Sequence, residues 1–156
     1  VQKTVVFPQY LQDRFKKSAK KIFPVEECAF LIGRKDENGD YRVEDLYFPE
    51  DRLKHSSDVH IDISSGWFRT AQTTYFEEKG QIVLGFIHSH CYDAKKEGIA
   101  DLMPSLADVN AVNFFKSEVE PYYSITGILR LVKNGGRIRS DLALYPIILP
   151  FKIQAA

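Results

Sequence analysis

Apolar residues recur at Leu11, Phe15, Ala19 and Ile22, a helical spacing that predicts an amphipathic helix over residues 8 to 23. Pro8 suits the first turn and Pro24 ends the pattern. Lys16, Lys17, Lys20 and Lys21 fall mainly opposite the stripe, as a solvated face does; a basic contact patch is the alternative use. Two β-rich runs follow, 26–34 and 41–48, with the turn sequence Asp36-Glu37-Asn38-Gly39-Asp40 between them, which predicts a hairpin. Residues 49 to 61 read as a loop. A second helix is expected from about Ser64 to Lys79, with Asp62, Ser64 or Ser65 as its cap. Trp67 or Phe68, Ala71 and Tyr75 form its buried stripe, and Gly80 sits where a C-cap glycine belongs. Val83 to Ile87 is a short apolar run of the buried-strand kind. After it come a long polar loop from Cys91 to Pro104 and a helix from Ser105 to about Lys116. Residues 122–132 and 137–145 predict a second hairpin across Asn134-Gly135-Gly136. The apolar tail beyond Pro146 suits an edge strand or a docked extension. Helices mixed with hairpins around one central strand give a single α/β (α+β) domain over residues 1–156.

Composition narrows the functional classes. With 44% apolar and 27% charged residues the chain is globular rather than disordered. Lys+Arg and Asp+Glu both number 21, so no global field draws it to nucleic acid or to a membrane. Two cysteines, Cys28 and Cys91, are too few for a disulfide framework, and a cytoplasmic location is the expectation. The sequence holds neither an apolar run long enough to span a bilayer nor a secretory leader pattern.

The candidate chemistry lies between Val83 and Asp108. His88 and His90 are separated by one residue, and side chains at i and i+2 of a strand point to the same side. They converge at the end of the Val83–Ile87 strand. Two histidines and a carboxylate form a recurring catalytic zinc set with a fourth position open to water. The carboxylate candidate is Asp108 in Pro104-Ser105-Leu106-Ala107-Asp108, with Asp93 and Asp101 as competitors inside the loop. A metal hydrolase also needs a base that is not itself a ligand, and Glu26 and Glu27 open the first strand before a buried run. Each feature has a plainer reading. The histidines could be structural, Glu26 a surface acid, and Ser105-x-x-Asp108 a capping box with Asp in place of Glu. Cys91 could close the site as a fourth ligand, act as a nucleophile beside His90, or be an unreactive loop thiol. His55 and His60 read as ordinary loop residues.

Three segments together resemble the JAMM/MPN (JAB-type) zinc metalloproteases. They are Pro24-Val25-Glu26-Glu27-Cys28-Ala29-Phe30-Leu31-Ile32-Gly33, Gly85-Phe86-Ile87-His88-Ser89-His90 and Pro104-Ser105-Leu106-Ala107-Asp108. The resemblance covers roughly residues 8 to 145. It implies a central mixed curved sheet flanked by helices, with Zn²⁺ held by His88, His90 and Asp108. Glu26 is the matching base, with Glu27 one register step away, and Ser105 matches the serine that hydrogen-bonds the water or the developing oxyanion. The implied activity is hydrolysis of a peptide or isopeptide bond after the carboxy terminus of ubiquitin or a ubiquitin-like protein, as in a prokaryotic deconjugating peptidase. Bacterial relatives accompany such conjugation systems, including antiphage defence operons. A non-catalytic interaction scaffold of the same fold, or a hydrolase of small peptides or sulfur-carrier adducts, are the rival readings. The chain departs from the family pattern in two places. Cys91 stands where the family has proline or threonine, and Ser105 follows His90 by 15 positions, a longer loop than usual.

Overall fold

In the computed structural model, residues 3–56, 65–93, 125–146 and 151–154 are described. The first amphipathic pattern becomes helix α1 (Gln9–Ile22), which buries Leu11, Phe15 and Ala19. The second becomes α2 (Ser65–Lys79). At its end Gly80 takes a φ of +62°, so the chain reverses and the Gln81 N–H reaches the Tyr75 carbonyl at 3.1 Å.

Both expected hairpins form. Strands β2 (Cys28–Lys35) and β3 (Tyr41–Tyr47) pair antiparallel, as do β5 (Ile125–Asn134) and β6 (Arg137–Pro146). The apolar tail supplies an edge strand, β7 (Phe151–Gln154). It runs parallel to β1 (Lys3–Val6), a four-residue strand that the sequence reading passed over because so short a run carries no periodicity. With β4 (Ile82–Asp93) they make one mixed sheet in the order β6-β5-β4-β2-β3-β1-β7. The end strands β6 and β7 approach one another, so the sheet curls.

The two helices take opposite faces. Leu11, Phe15 and Ala19 of α1 pack with Ala29, Leu31, Leu84 and Ile87. Trp67 and Ala71 of α2 pack with Cys28, Phe30, Val83 and Phe86. Strand alternation would separate Val83 from Phe86, yet both face α2. The reason is a bulge: Leu31 pairs with Gly85 and Ile32 with Val83, so Leu84 is an extra residue in β4.

One expectation is corrected. β4 does not end at the histidines but continues through Cys91, Tyr92 and Asp93, which pair with Leu131, Val132 and Lys133 of β5. The long apolar β5 offers a ladder partner that local polarity does not reveal. Cys91 is therefore a strand residue, not a loop thiol. The remainder of the expected loop, the expected helix after it, and the residues His60, Asp101, Ser105 and Asp108 lie outside the described residues.

Candidate metal centre

β4 lies between antiparallel β2 and parallel β5, so His88 and His90 are delivered by an interior strand rather than a frayed end. His88 is buried and opposes Cys28 of β2, and its ring stacks on Phe86 at 5.9 Å. Its Nε2 lies 3.0 Å from His90 Nε2. Zinc–nitrogen bonds of about 2.0–2.1 Å at a tetrahedral angle place two ring nitrogens roughly 3.3 Å apart. The pair thus fits a shared metal after an opening of a few tenths of an ångström. On the far side of the second ring, Tyr92 Oη stands 3.5 Å from His90 Nδ1. With Nε2 directed to a metal, Nδ1 carries the proton and points it at that hydroxyl, an orienting contact of the kind metal-bound histidines use. The sequence reading missed Tyr92, although His88, His90 and Tyr92 keep one i, i+2, i+4 alternation.

The two glutamates are separated by the same alternation. The Ser89 N–H donates to the Glu27 carbonyl at 2.9 Å, and the Glu27 N–H donates to the Ser89 hydroxyl at 2.8 Å. This carries the β2–β4 pairing one step past Cys28 and brings Glu26 level with His90. Alternation from Cys28 puts buried Glu26 on the histidine face and Glu27 on the α1 face with Ser89.

Glu27 is fully buried and fully engaged. Its carboxylate accepts from Ser18 Oγ of α1 (2.5 Å), from the Cys28 N–H (2.9 Å), and from Arg52 Nε and Nη2, the latter at 3.1 Å. This bonding raises the hold of Arg52 on its proton above the ordinary guanidinium value. Arg52 belongs to a short 3-10 helix (Arg52–His55) in the segment expected to be loop, and it lies over the Phe48 ring. Neighbouring Asp51 faces the other way: it accepts from Trp67 Nε1 at 2.7 Å and lies 3.4 Å from His55 Nε2. The Trp67 bond, with smaller help from the Asp51 backbone and His55, pulls Asp51 below the usual carboxylate range against a weaker opposing effect of burial. The 49–56 segment therefore clasps the end of the sheet on both faces.

Cysteine chemistry at the site is not supported by this placement. Cys91 faces α1, within 3.7 Å of the Val25 carbonyl and 3.9 Å of Ser89 Oγ, away from the histidines. Asp93 shares its parity, which argues against it as a ligand. Burial, and then the Glu27 and Glu26 charges, push the Cys28 thiol far up, so it stays protonated. No group of three His, Cys, Asp or Glu that could hold a metal occurs among the described residues. The expected third ligand Asp108 and the expected serine Ser105 lie outside them.

Among the described residues, an interior strand presents two convergent histidines on a curled mixed sheet with one helix on each face, which defines an α/β scaffold. Residues 8–112 match the family of prokaryotic homologs of the JAB domain, and the chain belongs to that family. Two solution structures share the fold: protein DSY2949 from Desulfitobacterium hafniense and a protein from Salinibacter ruber. The first is 18% identical, covering 98% of this chain and 94% of its own, with a TM-score of 0.59. The second is 18% identical, covering 98% and 91%, with a TM-score of 0.53. No curated protein matches the sequence. No helix among the described residues is long and apolar enough to cross a membrane.

Proposed function

We propose that this protein is a zinc-dependent peptidase or isopeptidase of the JAMM type, cleaving an amide bond that joins a ubiquitin-like protein, or a similarly conjugated protein, to its partner. The observation that carries the reading is the 3.0 Å approach of His88 Nε2 and His90 Nε2; alternation extended back from Cys28 would set buried Glu26 on the same face. His88 and His90 would hold the metal with Asp108, the ligand that the family resemblance adds. Zinc bound there would supply a water of lowered pKa and a polarised scissile carbonyl.

The chain's own residues do the rest. Glu26, shielded from bulk water, takes a proton from the attacking water and returns it to the leaving amine. Ser105 donates to the developing oxyanion, where loss of one donor costs about 10²–10³ in rate.

Elemental analysis tests the reading. About one zinc per wild-type chain is expected, lost in His88→Ala and Asp108→Ala and kept in Glu26→Gln, with amide cleavage abolished in all three. A metal-supplied wild type without zinc would sink the hydrolase and leave a binding scaffold of the same fold.

A further inference from the structure

The β5–β6 hairpin extends the histidine face outward. Leu129 and Leu131 of β5, and Ile138 and Leu142 of β6, pack toward the α1-side core. By alternation Arg130 and Val132, and Arg137, Arg139 and Asp141, take the opposite face. The register sets these residues in rows: His90–Arg130–Asp141, then Tyr92–Val132–Arg139, then Asn134–Arg137. Arg130 Nη2 and Nε donate to Asp141 Oδ2 at 2.6 and 3.3 Å, so its guanidinium is tethered beside the histidine row. Arg137 and Arg139 are exposed. In a chain of zero net charge, three guanidiniums against one carboxylate on this side of the β5–β6 hairpin, among the described residues, are a local concentration.

We propose that Arg130, Arg139 and Arg137 form a docking track for an acidic polypeptide segment of the substrate, leading it to the His88–His90 centre. The track rests on the peptidase reading for its direction and names the substrate class that reading leaves open. Strands about 4.8 Å apart with a rise of about 3.3 Å per residue put the backbone of Arg130 about 5 Å from that of His90, and Arg139 about 12 Å away. An extended chain covers about 3.3 Å per residue, so the favoured acidic side chains lie roughly one to five residues from the scissile bond. Guanidiniums grip carboxylates with a planar fork, and Val132 and Tyr92 between them offer apolar footing for the stems. The absence of a global positive field favours a short acidic peptide over a nucleic acid.

Fluorescence anisotropy on the full chain tests this without any cleavage step. The probes are three dye-labelled ten-residue peptides of one design carrying four Glu, four Gln or four Lys. The Glu peptide is expected to bind tightest and to weaken with salt. Arg139→Gln and Arg137→Gln should each loosen it about two- to fivefold, and Arg139→Lys should fall between Arg139→Gln and wild type, because it keeps the charge and loses the fork. Lys17→Gln/Lys20→Gln on α1 should change nothing. Equal or absent binding of the three peptides would overturn the track. So would a loss caused by the α1 lysines, or displacement of the Glu peptide by a lower concentration of a single-stranded oligonucleotide. Zinc content is measured in parallel, so failure of the metal centre and failure of the track give separate signals.

Discussion

Adjacent acids in one sequence motif have different environments here, and alternation is the cause. Glu27 is a structural anchor, tied to Ser18, Arg52 and its own strand. Glu27→Ala should cost about 3 kcal/mol of unfolding free energy by stranding Arg52, read as a shift in the denaturant midpoint. Glu26→Gln should leave that midpoint nearly unchanged while abolishing cleavage; a large loss of stability instead would make Glu26 structural. Asp51 gives a pH prediction. Its folded pKa lies below its ordinary value near 3.8, so its contribution to stability is fully present above that value and is lost as pH falls through the lower one. Trp67 is the chain's one tryptophan and touches Asp51 directly. Its fluorescence should change as pH falls below about 4. Asp51→Asn should remove that acid-dependent step.

At the scale of elements, a single bulge decides which face receives the histidines. If Leu84 were accommodated by regular pairing instead of a bulge, alternation from Val83 would carry Ile87 and Ser89 to the α2 face and turn His88 and His90 toward α1. Beside the bulge, Gly85 meets β5 so closely that an added Cβ would lie 1.9 Å from the Ile125 carbonyl oxygen. Gly85→Ala is therefore expected to cost about 3 kcal/mol or more, whereas Gly136→Ala at the hairpin tip, with nothing within 4 Å, should change stability by less than about 0.5 kcal/mol. Thermal unfolding of the pair checks this. The extension of β4 to Asp93 also moves the boundary of the polar segment. Shortening within 94–104 should alter substrate choice and leave zinc bound, while a deletion that also removes 91–93 should break β4–β5 pairing and lower zinc content. Equal zinc loss from both deletions would refute that division.

For the molecule as a whole, much of the architecture and the convergence of His88 and His90 were legible in one dimension. The helical stripe of Leu11, Phe15 and Ala19, the turn around Gly39, and the Asn134-Gly135-Gly136 turn are local signals, and each produced the expected element. His88 and His90 were found for the same reason: two residues apart on a strand, they must share a side. What the sequence by itself determined is this local grammar, because periodicity and turn chemistry act over a few residues. The tertiary structure decided what depends on partners distant in the chain. The length of β4 past His90 is set by β5, the separation of Glu26 from Glu27 by Ser89 and Arg52, and the arginine track by the β5–β6 register. Those outcomes depend on which strands meet and in what register. A one-residue slip reverses every face, and no local signal records it.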